Sequence, residues 1–104
     1  MLKKPACPVI AIEEHYWDKE LSDTYAGIGR ATQRQDQVDR LLDLGDLRTR
    51  EMDEAGIAIQ VLSHGSPSTQ ELTGREAVAL TRRVNDRLAE AIARHPTRFA
   101  GFCA

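Results

Sequence analysis

The chain has 104 residues, 41% hydrophobic and 29% charged, with a formal net charge of −2 at pH 7. That length bounds it to one domain or less, and the composition is that of a soluble globular protein, not a disordered one. Basic and acidic residues are interspersed, so no electrostatic footprint for nucleic acid is present.

The N-terminal Met1-Leu2-Lys3-Lys4-Pro5 carries positive charge, but the apolar stretch behind it is interrupted by Pro8 and ended by Glu13. It is too short for a signal or a membrane span, which predicts a cytoplasmic chain with no membrane partner. The two cysteines, Cys7 and Cys103, sit at opposite ends without CxxC spacing, so neither a zinc knuckle nor a disulfide framework is expected.

A first strand is predicted over residues 8–15, where the apolar run Val9-Ile10-Ala11-Ile12 stops at Glu13-Glu14-His15. Side chains alternate along a strand, so Glu13 and His15 are expected on one face and Glu14 on the other. Carboxylate oxygen and neutral imidazole nitrogen are ordinary ligands for zinc and other divalent first-row metals. Two ligands do not make a site, and for this tripeptide alone a solvated strand end stands as the alternative.

Residues 16–35 are polar and mixed, with Gly27 and Gly29 near the middle, and read as a long loop. Loops beyond roughly 12–15 residues inside compact domains are functional or disordered. Tyr16 and Trp17 either line a pocket there or pack the loop against the strand ends. From 37 to 55, Val38, Leu41, Leu42, Leu44, Leu47 and Met52 fall on one face of a predicted helix, which Gly56 ends. A second strand is predicted over 57–63, ending at Ser63-His64-Gly65-Ser66-Pro67-Ser68, a turn-forming cluster.

Thr73-Gly74-Arg75-Glu76 fits a capping box at the start of a second helix, 74–94. Ala77, Thr81, Val84, Leu88, Ala91 and Ile92 recur along it at steps of three and four, with Val78 beside them. Arg82, Arg83, Asp86, Arg87 and Glu90 form its wet face, and His95-Pro96 stops it. The segment 98–104, containing Phe99-Ala100-Gly101-Phe102-Cys103-Ala104, reads as a third strand.

Strand, helix, strand, helix, strand is the order of parallel βαβ units with right-handed crossovers, which predicts an α/β fold. Function in such folds sits at the C-terminal ends of the strands. Glu13-Glu14-His15 and Ser63-His64-Gly65-Ser66 are both expected there, on the same face of the sheet, which favours the metal edge over the solvated strand end.

Over nearly all of its length the chain resembles the N-terminal part of the amidohydrolase-related decarboxylases, the group of aminocarboxymuconate-semialdehyde, γ-resorcylate and 2,3-dihydroxybenzoate decarboxylases. The resemblance rests on Ile12-Glu13-Glu14-His15, on Arg48 with Met52-Asp53-Glu54-Ala55-Gly56-Ile57, and on Val61-Leu62-Ser63 followed by Ser66-Pro67 and Gln70. It rests also on Asn85-Asp86 with Leu88-Ala89-Glu90, and on His95-Pro96 with Arg98-Phe99. It implies that residues 1–104 form part of a (β/α)8 TIM barrel whose mononuclear divalent metal is held in part by Glu13 and His15. Zinc is the first expectation for that metal, with manganese or magnesium as alternatives.

The implied reaction is non-oxidative decarboxylation of an aromatic or unsaturated carboxylic acid, with the metal anchoring an oxygen of the substrate while a ring carbon is protonated. Ser63 and His64 are candidate substrate-binding residues, set against the alternative of local hydrogen bonding in a turn. Glu14 is expected to be structural. Full-length relatives of this kind form homo-oligomers.

A whole barrel needs ~250 residues or more, and later strands would carry the remaining ligands and the catalytic acid or base. None of those has a position here, so the chain is expected to be an N-terminal fragment without appreciable activity of its own. The competing expectations are an amidohydrolase-type hydrolase using metal-activated water, and a non-catalytic interaction module or gene remnant.

Overall fold

The computed structural model describes residue 3 and residues 5–25 and 34–104. Met1, Leu2 and Lys4 of the N-terminal segment, and the part of the predicted long loop containing Gly27 and Gly29, lie outside the described residues. The elements run β1 (Ile10–Tyr16), α1 (Lys19–Thr24), α2 (Gln35–Leu42), α3 (Asp46–Ala55), β2 (Ile59–His64), α4 (Gly74–Arg94) and β3 (Phe99–Gly101). The three strands form one sheet in the order β1-β2-β3, with both pairings parallel.

The sheet has two unlike faces. Tyr16, Leu62 and Phe99 project to one side and are buried with Met52 of α3 and Leu88 of α4; Leu44, Ile57 and Ile92 pack around them. A second cluster joins Leu21 of α1 to Leu80 and Val84 of α4. Each such side chain taken from water contributes about 1.5–3 kcal/mol. On α4 the buried set is Leu80, Val84, Leu88 and Ala91, whereas Val78 is 55% exposed. The phase through Ala77, Thr81, Val84, Leu88, Ala91 and Ile92 matches the burial, since all six are buried or half-buried; Val78 alone falls outside it, and Leu80 joins the buried set. Gly101 lets α4 approach closely, since a Cβ there would lie 2.9 Å from Leu88 Cδ2. The opposite face leaves Ile10, Ile12 and Phe102 at 54%, 69% and 66% exposure.

The predicted helix over 37–55 is two helices. Asp43 breaks it: its carboxylate Oδ1 accepts the amide N–H of Gly45 at 3.0 Å and of Arg48 at 2.9 Å. Such a side-chain turn competes with helix continuation and caps the next helix instead. At the far end Gly56 closes α3 in the left-handed conformation, φ 74°, as glycine at this position readily does. Within the predicted long loop, α1 is a short helix capped by Asp18, whose side chain accepts the Leu21 amide at 3.1 Å. The capping box at Thr73 is not formed, because Thr73 is the N-cap residue but makes no side-chain cap hydrogen bond. The third strand is only three residues, after which the backbone makes one more pairing bond, from Phe102 N–H to Leu62 O.

Two arginines tie these pieces together. Arg87 of α4 donates to the Asp18 carboxylate at 2.6 and 2.9 Å, fastening α1 to α4. Burial alone would raise the Asp18 carboxyl, but the Arg87 hydrogen bonds and charge and the Leu21 amide outweigh it and hold the group below its usual range. Arg48, itself buried, donates from Nε to Asp43 O at 2.7 Å, from Nη1 to Gln60 Oε1 at 3.0 Å, and from Nη2 to Arg40 O at 2.9 Å and His15 O at 3.1 Å. One side chain thus joins β1, β2, α2 and the α2–α3 link.

Arg48→Met keeps the bulk but strands these acceptors, and a loss of about 3 kcal/mol is expected in urea unfolding. A loss below about 1 kcal/mol would show that the hub is dispensable.

Candidate metal centre

The site is built at the C-terminal end of β1. Register with β2 runs from Ile10 opposite Ile59 and Ala11 opposite Gln60 to Glu14 opposite Leu62 and His15 opposite Ser63, with an irregularity between Ala11 and Glu14. From 11 to 14 β1 spends three steps where β2, from 60 to 62, spends two. One extra residue is therefore bulged out at Ile12-Glu13. Glu13 takes φ 60° there, a left-handed conformation that is costly for a side chain bearing a Cβ.

The bulge changes how the two polar residues reach the open side. Glu13 and His15 are both exposed and Glu14 is half-buried, as alternation predicts, but strict alternation is not the cause. His15 shares the open face with Ile10 and Ile12, and Glu13 is carried by the bulge between them. Glu14 turns to the helix-covered side, where its Oε2 lies 3.4 Å from Gln60 Nε2.

The His15 ring has one occupied edge. Nδ1 lies 3.2 Å from Ser63 Oγ and 3.4 Å from Ser63 O, and among the described residues none bonds Nε2. Among the described residues no hydrogen bond or ion pair engages the Glu13 carboxylate. A carboxylate and an imidazole, both exposed at the same strand end, are donor types that suit a divalent cation. Among the described residues, no group of three or more His, Cys, Asp or Glu side chains is placed to hold a metal, so this chain offers a pair of donors and not a closed site.

Ser63 and His64, expected on the same face, are divided by the sheet. Ser63 pairs with His15 on the open face, whereas His64 pairs with Tyr16 on the helix side. There the Tyr16 and His64 rings meet edge to face with centroids 5.2 Å apart. Both His64 nitrogens are engaged: Nε2 accepts the Asp18 amide N–H at 2.8 Å, and Nδ1 lies 2.8 Å from Gly65 O. A carbonyl only accepts, so Nδ1 carries the proton and the ring is neutral. Burial pushes the His64 imidazole below its usual range, against the Gly65 carbonyl and the Asp18 charge, which favour protonation. Tyr16 is 1% exposed and belongs to the core. Burial first, then the Asp18 charge, pushes its hydroxyl up to about 12. Sequence reasoning marked Arg48 only as part of a motif; its bond to the His15 carbonyl places it directly behind the candidate ligand.

No protein-family model matches the chain. It is 42% identical over 96 residues to a γ-resorcylate decarboxylase of Rhodococcus jostii, a match covering 91% of this chain and 29% of that relative. A γ-resorcylate decarboxylase of Rhizobium radiobacter is 38% identical over the same shares of both chains. Among solved structures, 5-carboxyvanillate decarboxylase of Novosphingobium aromaticivorans, with manganese and 4-hydroxy-3-methoxy-5-nitrobenzoic acid, superposes with a TM-score of 0.86 at 31% identity. That match covers 95% of this chain and 34% of the other. Dihydroxybenzoic acid decarboxylase of a Polaromonas species, with manganese and 2-nitroresorcinol, superposes with a TM-score of 0.81 at 41% identity, covering 93% and 30%. The chain thus spans about a third of the length of the proteins it matches.

Glycine accepts φ 60° freely, so Glu13→Gly is expected to raise stability by about 0.5–1 kcal/mol in urea unfolding, while Glu13→Ala is not. No gain from glycine would mean that the bulge carries no strain. The neutral His64 sets a pH dependence. Its folded pKa lies below the unfolded one, so its share of stability is complete above about pH 6.5 and is lost as pH falls through the folded value. The urea midpoint is expected to drop between about pH 7 and pH 5, and His64→Gln to flatten that drop; equal slopes in both proteins would contradict the assignment.

Proposed function

Because the chain belongs to the amidohydrolase-related decarboxylases, we propose that it contributes the Glu13 and His15 edge of a divalent-metal site at which an aromatic carboxylic acid is decarboxylated. The observation that carries the reading is the bulge. It lies at the C-terminal end of a strand where Glu13 and His15 are both exposed, in a chain 42% identical to a γ-resorcylate decarboxylase, and this supports reading the two as donors to one ion.

The donor pair fits a divalent ion. Glu13 would bind through its carboxylate and His15 through Nε2, and the bound ion would supply positive charge to anchor a carboxylate or phenol-type oxygen of the substrate. One carboxylate and one imidazole serve zinc and manganese alike; two matched structures hold manganese, which favours manganese over the zinc first expected. Ser63, on the same face as His15, is the one of the two candidate pocket residues that faces this site. His64 is spent on backbone partners behind the sheet.

Two protein ligands fall short of the three a catalytic metal keeps. In this reading the remaining ligand and the proton-transferring group come from polypeptide outside these 104 residues, and the chain alone has no turnover. The same reading carries a homo-oligomeric, cytoplasmic enzyme that acts on a small aromatic acid. Among the described residues no helix is long and apolar enough to cross a membrane.

The test joins residues 1–104 in frame to the part of the Rhodococcus relative that follows its matched region. Carbon dioxide release from 2,6-dihydroxybenzoate is then assayed with added manganese or zinc. Metal-dependent turnover, reduced at least about a hundred-fold in Glu13→Ala and in His15→Ala, is expected. A folded, metal-loaded chimera without turnover, or turnover that survives Glu13→Ala, would contradict the proposal.

A further inference from the structure

The neighbouring strand fixes which nitrogen of His15 is free to face a metal. Ser63 is the direct cross-strand partner of His15. It presents two oxygens to one ring nitrogen, the hydroxyl at 3.2 Å and the main-chain carbonyl at 3.4 Å from Nδ1. The hydroxyl can donate or accept, but the carbonyl only accepts. A nitrogen facing both is matched only if it carries the proton, in which case the hydroxyl accepts as well. The other nitrogen, Nε2, is then the one with a lone pair, and none of the described residues bonds it.

We propose that Ser63 is a positioning residue for this site: with its hydroxyl and carbonyl it holds His15 in the Nδ1–H tautomer and in the rotamer that turns Nε2 away from β2. Metal-binding histidines gain affinity and orientation from a partner at the second nitrogen, and losing it costs 10–100-fold in metal affinity. The residue is placed for this by register. His15 stands opposite Ser63 only because the bulge at Ile12-Glu13 has shifted β1 by one residue. Without that shift the residue opposite Ser63 would be Glu14, and the histidine would lie on the other face of the sheet. Arg48 secures the same residue from the main-chain side through the His15 carbonyl, 3.1 Å away. Ser63 thus acts on His15, and its role is to orient a ligand rather than to grip substrate. This inference rests on the metal-edge reading for its purpose, but the tautomer itself needs no metal.

The experiment follows the His15 ring by nitrogen-15 NMR in the metal-free 104-residue chain at a pH where the imidazole is neutral, and then titrates Mn²⁺ alone by electron paramagnetic resonance. The wild-type chain is expected to show a protonated Nδ1 and an unprotonated Nε2. Ser63→Ala is expected to mix the tautomers and weaken Mn²⁺ binding about ten-fold with an unchanged melting temperature, and Ser63→Thr to restore both. Tautomer behaviour as expected with no Mn²⁺ binding to any form would sink the metal reading and leave the orienting role standing. Mn²⁺ binding at Glu13 and His15 with an Nε2–H wild-type ring, or with Ser63→Ala unchanged in tautomer and affinity, would sink this proposal and leave the metal reading standing.

Discussion

The buried guanidinium of Arg48 is the interaction on which the rest of the arrangement depends. Four of its N–H groups are spent on acceptors in four different places, namely the carbonyls of Asp43, Arg40 and His15 and the side chain of Gln60. Burial disfavours its charged form, and a guanidinium in that position is tolerable only because its planar fork is almost fully matched. The acceptors are ones that no secondary structure would otherwise satisfy. Arg40 O lies in the last turn of α2, Asp43 O in the link that follows, and His15 O near the end of β1. Satisfying them with one side chain fixes the end of β1 relative to β2 and to the helices behind it, and so fixes where His15 stands.

The proposed metal edge coincides with a departure of the strand from regularity. A regular β1 would keep Glu13 in extended backbone and would move His15 to the helix-covered side of the sheet if the pairing of Ile10 with Ile59 and Ala11 with Gln60 were kept. The bulge keeps the apolar half of the strand in register with β2 and advances the polar half by one residue. Glu13 pays for this with a left-handed backbone that glycine would accept freely. Strain held at a polar strand end, while the buried core below is regular, is where a binding site is expected to depart from the stability optimum.

The βαβαβ order was legible because it rests on local signals: the helical phase through Val84, Leu88 and Ala91, the β-branched run at Ile57-Ala58-Ile59, and Gly56 at a helix end. The break between α2 and α3 was hidden because Leu41, Leu42, Leu44 and Leu47 continue a helical spacing across it, and the capping role of Asp43 depends on backbone geometry that spacing does not reveal. The helix α1 is too short for periodicity to register, although Asp18 three residues before Leu21 is a cap signal in hindsight. Glu13 and His15 stand out in the sequence by residue type and spacing, whereas the bulge between them and the apolar half of the strand is set by cross-strand register and leaves no trace in β1 alone. His64 was placed with Ser63 because the strand was ended at 63; extended by one residue, alternation sends it to the opposite face.

The measurement that bears most directly on the account is an anomalous-scattering map from crystals of this chain grown with Mn²⁺. A peak is expected at bonding distance from both the Glu13 carboxylate and His15 Nε2, with His15 Nδ1 still against Ser63. A peak bound elsewhere, or none at this strand end under saturating metal, would contradict the metal-edge reading.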